Sequence, residues 1–196
     1  MTKRGRITLA MAILALAVSA GTVWFISASG PPDPIYGDHR LSYWVSTVPS
    51  GTWWGPTGLD SNAVPYLIQT LSARDGPLRQ AYIHLYRHSP SWIQRRIDNP
   101  MPAAGRKSVA ALFLGQIGPA ARPAIPELIR LINSNEKAGV RGIAIHALSQ
   151  IGTRNDAAVM DCLTTASRDA SPSVRADAVA ALQRLDPKIG PDVEGP

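Results

Sequence analysis

The sequence contains few of the residues that build disulfide frameworks, aromatic cores or strongly charged surfaces. Its single cysteine, Cys162, excludes an internal disulfide and a cysteine-based zinc site. Aromatic residues make up 6% and charged residues 17% of the 196 positions, whereas hydrophobic residues make up 45%. A buried core must therefore consist mainly of Ala, Leu, Val and Ile, which suits closely packed helices.

The sequence also lacks the motifs of the common catalytic and cofactor sites. It has no serine nucleophile elbow, no phosphate-binding glycine loop and no pair of carboxylates placed to flank a cleft. We therefore expect no catalytic residue, no cofactor, no metal and no small-molecule substrate.

Charge is unevenly distributed along the chain. The net charge of +6 includes Lys3, Arg4 and Arg6 at the N-terminus. Residues 74–141 contain 11 basic and 4 acidic residues, whereas residues 155–196 contain 4 basic and 7 acidic residues. The basic part could attract phosphate or an acidic partner, but dispersed arginines are more typical of solvated helix faces. The acidic C-terminal part argues against a nucleic-acid partner.

A charge-free segment of twenty residues, Ile7–Ile26, follows the N-terminal positive charges. At about 1.5 Å per residue it spans the ~30 Å hydrocarbon layer, which predicts an uncleaved membrane anchor within residues 1–29. The positive charges predict a cytoplasmic N-terminus, so that the chain crosses the cytoplasmic (inner) membrane once and its repeat domain is extracytoplasmic. Two alternatives are a signal peptide cleaved after Val18-Ser19-Ala20, which would leave a periplasmic protein, and a buried soluble helix.

Residues 30–60 are predicted to form a Pro/Gly-rich linker and a cap helix. The GPPDP stretch at 30–34 cannot be helical, because proline lacks the amide donor and restricts the residue before it. Apolar residues recur at helical spacing over Leu41–Val48, which predicts a helix that covers the exposed end of a repeat stack. Trp53 and Trp54 either pack beneath this cap or form an aromatic binding site.

The main feature of the sequence is an internal repeat with an offset of 34 residues. The stretches RPAIPELIRLINSNEKAGVRGIAIHALSQIGTR (122–154) and NDAAVMDCLTTASRDASPSVRADAVAALQRLDP (155–187) have apolar residues at equivalent positions. Each unit predicts two helices, of which the first begins near Pro126 and the second carries an apolar stripe that ends at Gly152. One such pair cannot bury its apolar side alone, so neighbouring pairs must stack.

Weaker copies of the unit occur upstream. AVPYLIQTL (63–71) resembles AIPELIRLI (124–132), and RKSVAALFLGQIG (106–118) resembles VRGIAIHALSQIG (140–152). The sequence therefore predicts an all-α solenoid of about four helix pairs over 61–187 and a disordered tail over 188–196. The four predicted units are 61–90, 91–118, 122–152 and 155–187.

These motifs resemble a known family. Ala-Ile-Pro-x-Leu-Ile, Val-Arg-x-x-Ala and Ala-Leu-x-x-Ile-Gly are similar to HEAT repeats of the short bacterial type, which also occur in phycobilisome lyase-like proteins. VPYLIQTL and Tyr36-Gly37…Leu41-Ser42-x-Trp44 are similar to membrane-anchored HEAT proteins of environmental bacteria. The resemblance covers about 61–187 and implies protein interaction or scaffolding rather than catalysis. It leaves a tetrapyrrole lyase or chaperone as the alternative.

A ladder of four basic residues is predicted near the starts of the second helices. Its members are Arg79, Lys107, Arg141 and Arg175. Acidic residues precede three of them, which favours charge pairs between repeats over a binding site for an anionic ligand. Cys162 aligns with Leu128, a core position, which favours a buried thiol over a nucleophile. Gly142 is expected to weaken its helix by up to ~1 kcal/mol.

The second helices are expected to line a shallow, mildly polar concave groove that binds a protein or peptide. The predicted lining residues are Gln80, His84, Arg87, His88, Ser108, Gln116, His146, Gln150 and Gln183. His84 and His88 are spaced as two metal ligands would be, but no third ligand accompanies them. We therefore expect a non-catalytic, membrane-tethered scaffold or adaptor. The alternative is a structural subunit that packs on a membrane complex by its edges.

Overall fold

The computed structural model describes residues 30–47, 55–96 and 100–188. Close contacts divide the chain into Met1–Pro32 and Asp33–Pro196, and the second unit contains all the elements below. A two-stranded antiparallel hairpin, β1 (Ile35–Tyr36) and β2 (His39–Arg40), precedes the helices. The α-helices are α1 (Leu41–Thr47), α2 (Val64–Leu71), α3 (Pro77–His88), α4 (Ser91–Gln94), α5 (Ala103–Ile117), α6 (Ile125–Ile132), α7 (Ala138–Ile151), α8 (Ala157–Ala166) and α9 (Pro172–Leu185).

The helices form a row of three contacting pairs, α2 with α5, α6 with α7, and α8 with α9. The second helices of these pairs, α5, α7 and α9, pack side by side in one layer, and the first helices, α2, α6 and α8, form the other. Prolines occupy the first turns of α2, α6 and α9, where a missing amide hydrogen costs no helical bond. The expected all-α solenoid is therefore confirmed, whereas the expected number of helix pairs is not.

The core lies between the two layers and is built from small and branched aliphatic side chains. Ala144, Ile145 and Leu148 of α7 are each 0% exposed, and Leu128 of α6 is equally buried. Phe113 of α5 is the one fully buried aromatic side chain among the described residues. The aliphatic core expected from the composition is thus what holds the pairs together.

The segment between α2 and α5 is an insert within the first pair, and it corrects the predicted unit boundaries. The sequence assigned α3 to one unit and α5 to the next, but α5 packs against α2, and neither α3 nor α4 packs extensively against another described element. Asp75, directly after α2, joins the two ends of the insert. Its carboxylate accepts hydrogen bonds from the backbone N–H of Ala103 (2.7 Å) and from Nη2 of Arg106 (3.0 Å).

The N-terminal cap covers the first pair. Leu41 and Val45 of α1 are 0% and 2% exposed, and α1 packs against α5. The Tyr36 hydroxyl donates to Oδ1 of Asp60 at 2.5 Å, and burial together with this bond raises the pKa of Tyr36 to about 12. The predicted cap helix therefore exists over Leu41–Thr47, whereas Val48, Trp53 and Trp54 lie outside the described residues.

In the last described pair, several positions that are buried in the preceding pair carry more exposed side chains. At the 34-residue offset, buried Leu131 of α6 corresponds to exposed Thr165 of α8. In the second layer, buried Ile145 and Ser149 of α7 correspond to the half-exposed Val179 and Gln183 of α9. Within the described residues no further repeat covers this side, and a polar outer side is what such a position requires.

The predicted localisation as a single-pass protein of the cytoplasmic membrane is contradicted. Within residues 30–47, 55–96 and 100–188, no helix is both long enough and apolar enough to cross a bilayer. A span needs about 20 residues, whereas α5, the longest α-helix of these ranges, has 15. The predicted anchor itself, Ile7–Ile26, lies outside the described residues.

Two glycines lie where second helices approach closely. A Cβ on Gly115 of α5 would be 3.2 Å from Cα of Ala147 on α7, a backbone atom that cannot rotate away. A Cβ on Gly142 of α7 would collide with Oδ2 of Asp177 on α9, which is the mobile end of an exposed side chain. Only the first of these contacts constrains the distance between two helix backbones.

We predict opposite effects of alanine at these two positions. Gly142→Ala should raise the free energy of unfolding by about 0.5–1 kcal/mol, because Asp177 can turn aside and alanine favours the helix. Gly115→Ala should lower it by about 1 kcal/mol or more, because α5 and α7 must separate. Urea unfolding followed by circular dichroism measures both variants. Equal stability of the two variants would refute the proposed backbone contact.

Candidate protein-binding surface

Two salt bridges connect successive helix pairs near the starts of the second helices. Nζ of Lys107 on α5 lies 2.5 Å from Oε1 of Glu136, which is in the loop between α6 and α7. Arg141 on α7 forms a bidentate pair with Asp169, in the loop between α8 and α9. Each basic residue therefore reaches the interhelical loop of the following pair, and these side chains crosslink the repeats.

The two ends of the predicted ladder differ from its middle. Arg175 on α9 lies in the last helix pair of the described residues, and its Nη1 donates to the backbone carbonyls of Asp169 (2.9 Å) and Ala170 (3.2 Å). Arg79 lies in the insert, where it contacts Asp75 at 3.3 Å and donates to the carbonyl of Met101 at 3.0 Å. Arg79 is thus not equivalent to the other three residues, because α3 is not a second helix of the row.

The charge on Asp169 is stabilised by its surroundings. Partial burial acts to raise its pKa, but hydrogen bonds from the Ser171 N–H and from Arg141, with the charges of Arg141 and Arg175, lower the pKa below its usual value. Arg141 is itself mostly buried, with 17% of its side chain exposed. The pair is therefore engaged within the protein, which leaves little capacity for an anionic ligand.

The outer side of the second-helix layer carries five of the predicted binding residues. We define this second-helix face as Ser108, Gln116, His146, Gln150 and Gln183. Gln116 and His146 are exposed and the other three are half-exposed. The amide nitrogen of Gln150 lies 2.9 Å from Nε2 of His146, so these two polar groups are held together on α7.

A small pocket opens between α7 and α9 on this face. Its volume is about 130 Å³, and its lining residues are His146, Ser149, Asp177, Ala180, Ala181 and Arg184. Ligand sites for cofactors commonly measure about 300–1,000 Å³, so this pocket is suited to a single side chain. Ala180 and Ala181 supply a small apolar floor beside the charged groups.

Sequence reasoning missed Asp177 and Arg184 as members of this site. Both are exposed on α9, and they are seven residues apart, with Ala180 between them on the same helical face. This spacing alone could have indicated that Asp177 and Arg184 share a surface. The alignment with the other second helices did not suggest a charged site, because the equivalent positions in α7 are occupied by Ile143 and Gln150.

The remaining predicted binding residues lie on α3 of the insert. Gln80, His84, Arg87 and His88 are exposed there, and α3 does not pack beside α5 as the groove would require. The rings of His84 and His88 stack with centroids 4.2 Å apart, and Nδ1 of His88 is 2.8 Å from the carbonyl of His84. Within the described ranges, no group of three or more potential ligands is arranged to hold a metal ion.

Cys162 is a buried thiol on α8. It is 4% exposed, and desolvation together with the nearby charge of Asp161 raises its pKa to about 11. Because the thiolate is the nucleophilic form of cysteine, burial and the raised pKa make Cys162 a poor nucleophile in the folded protein. Its position matches the core role expected from its alignment with Leu128.

Comparison with known proteins shows a similarity of the repeats to one family. A family model described as HEAT repeats matches residues 89–183, which run from the insert to α9. No curated protein and no solved structure matches the chain. HEAT repeats suggest a helical scaffold or a protein-interaction role, and this family is typically non-catalytic. The match supports neither the resemblance to phycobilisome lyase-like proteins nor the membrane anchor.

We predict that the Arg141–Asp169 pair is coupled more strongly than an exposed pair. A double-mutant cycle with Arg141→Met and Asp169→Asn should give a coupling of about 1–2 kcal/mol. The matched cycle with Arg130→Met and Glu127→Gln, within α6, should give about 0.5 kcal/mol or less, because Arg130 is 60% exposed. Equal coupling energies would contradict a crosslinking role.

The same pair has a predictable pH dependence. The pKa of Asp169 is lower in the folded state than in the unfolded state, where it is about 3.9. The ionised carboxylate therefore stabilises the folded protein fully above the unfolded-state pKa, and this contribution is lost as the pH falls through the folded-state pKa. The stability difference between the wild type and Asp169→Asn should therefore be constant near neutral pH and shrink below about pH 4.

We predict that Cys162 is protected from thiol reagents by folding. Labelling with iodoacetamide at pH 8 should be slower by about 100-fold or more in the native protein than in urea, because both burial and the raised pKa suppress the thiolate. Mass spectrometry of timed samples gives the rates. Rapid labelling of the folded chain would show that Cys162 is accessible.

Proposed function

We propose that this protein is a non-catalytic scaffold or adaptor that binds a protein or peptide across the second-helix face. The observation that carries the proposal is the pocket between α7 and α9, which is open to solvent and has a volume suited to one side chain. Its charged residues, Asp177 and Arg184, flank an apolar floor and can orient a polar side chain of the partner. Peptide recognition commonly combines such a pocket with several weaker contacts.

The chemistry of the face also favours a peptide over an anionic polymer. Lys107 and Arg141, which are related by the 34-residue offset, are already paired in salt bridges with Glu136 and Asp169. What remains on the face is mainly amide, imidazole and hydroxyl groups, which both donate and accept hydrogen bonds. Backbone amides of a bound segment present complementary groups.

The stacking of the repeats supplies the rigidity that such a site requires. Ala147 of α7, in van der Waals reach of Gly115, and Ile145 are fully buried, so the helix that carries His146 and Gln150 is held in place. A binding surface on a rigid layer loses little conformational entropy when a partner docks.

We predict that filling the pocket prevents partner binding. Ala180→Trp should fill the space between His146 and Arg184 and weaken binding by at least about tenfold, which is about 1.4 kcal/mol. A photo-crosslinking side chain at Gln150 reports the bound partner by mass spectrometry, and the same side chain at Arg130 on α6 is the matched control. Adducts should form from position 150 and disappear in the Ala180→Trp background.

The opposite result would favour a structural subunit that packs by its edges. In that case adducts would form from position 130 and not from position 150, and Ala180→Trp would have no effect. A melting temperature within about 2 °C of the wild type shows that Ala180→Trp leaves the fold intact.

A further inference from the structure

The two ends of the pocket between α7 and α9 carry opposite charges. Asp177 and Arg184 both line the pocket, and both are exposed on α9. Because they are seven residues apart, they are separated by about 10 Å along the helix axis. Ala180 and Ala181 lie between them in the pocket lining. A side chain that enters beside Asp177 therefore meets a carboxylate and small apolar groups, and the guanidinium is two helical turns away.

The carboxylate of Asp177 has no partner among the residues that the structure describes. Asp177 forms no hydrogen bond and no salt bridge within residues 30–47, 55–96 and 100–188. Other aspartates of the repeats are paired with arginines, namely Asp156 with Arg122, Asp169 with Arg141 and Asp186 with Arg154. The negative charge of Asp177 is therefore available to a cation that comes from outside the chain.

Gly142 allows this carboxylate to lie against α7. A Cβ on Gly142 would collide with Oδ2 of Asp177. Apart from the chain neighbours of Gly142 and the backbone of α7, the described atoms within 4 Å of that Cβ are Oδ2 and Cγ of Asp177. Packing of the core thus does not require a glycine at this position. The missing side chain instead permits the Asp177 carboxylate to reach across the groove from α9 to the backbone of α7.

The other polar groups near Asp177 do not oppose a bound cation. Nε2 of His146 lies 2.9 Å from the amide nitrogen of Gln150, which can only donate, so Nε2 accepts and the imidazole is neutral. Arg141, the neighbour of Gly142, is paired with Asp169. The charge balance at this end of the pocket is therefore negative.

We propose that the pocket receives a lysine or arginine side chain of the partner protein, whose cation pairs with Asp177. This inference rests on the proposed function, because it names the side chain that the same pocket takes up. The aliphatic stem of the basic side chain lies on Ala180 and Ala181, while its charged head reaches the carboxylate. Gly142 is a positioning residue, since it holds open the place of that carboxylate. At the far end, the charge of Arg184 disfavours a second cation, so one basic side chain is selected.

The test selects ligands from a phage-displayed library of random short peptides on the full chain. The selected peptides should be enriched in lysine and arginine, and fluorescence anisotropy measures their binding. Asp177→Asn should weaken binding by at least about tenfold, and so should norleucine in place of the basic residue of the peptide. Asp161→Asn, an exposed aspartate on α8, is the matched control and should bind as the wild type does. Added salt should weaken binding to the wild type.

Gly142→Ala separates positioning from a structural role. This variant should weaken peptide binding by about threefold or more, because the new Cβ displaces the Asp177 carboxylate, and yet it should not lower the stability of the fold. In the Asp177→Asn background, the same change should have no further effect on binding. Independent, additive losses would show that Gly142 does not act through Asp177.

The outcomes distinguish this inference from the proposed function. Selected peptides that lose binding in Ala180→Trp but keep it in Asp177→Asn would overturn the basic side chain and leave the second-helix face as the binding surface. Acidic peptides that lose binding in Arg184→Gln would also overturn it, because the anchor would then be the guanidinium. Peptides indifferent to Ala180→Trp, or no selected peptide at all, would contradict both proposals. Circular dichroism of each variant confirms that the fold is retained.

Discussion

Mutual burial of apolar faces between successive helix pairs is the interaction on which the rest of this structure depends. The central second helix, α7, contacts α5 on one side and α9 on the other, and Ala144, Ile145 and Leu148 are completely buried between the layers. A single pair of helices this short is marginal in water, because helix propensity alone contributes little. Each pair is therefore stable only as a neighbour of another pair, and the row must be closed at both ends.

The specific polar contacts follow from this stacking. The crosslinks from Lys107 and Arg141 reach the next interhelical loop only because the second helices lie side by side at the distance that small residues allow. At the C-terminal end the series stops, Arg175 turns to backbone carbonyls, and the outer positions become polar. At the other end, α1 supplies the missing neighbour. The salt bridges of Lys107 and Arg141 therefore connect neighbouring repeats. Because these charges are already paired, they leave little capacity to bind a ligand.

The second-helix face and the insert differ in the chemistry of their exposed side chains. The second-helix face is mainly polar, and the helix that carries His146 and Gln150 is held in place by its buried residues. The insert is apolar and basic, and it is exposed because the row has no place for it between α2 and α5. The architecture therefore exposes two surfaces of different chemistry, one on the repeats and one on the segment that interrupts them.

The sequence by itself determined the helical repeats, their aliphatic core and the buried role of Cys162, because hydrophobic periodicity reports directly which side of each helix is apolar. Tertiary structure alone decided which helices pair. The assignment of Arg79 to the basic ladder and of His84 to the groove was misleading, because both lie on α3, which does not pack beside α5. The joining of the insert's ends by Asp75 and the pocket between His146 and Arg184 were likewise invisible in the sequence. Asp75 contacts Ala103, and the pocket combines residues of α7 and α9. These groups are far apart in the sequence and meet only in the folded chain, so a local sequence pattern does not reveal them.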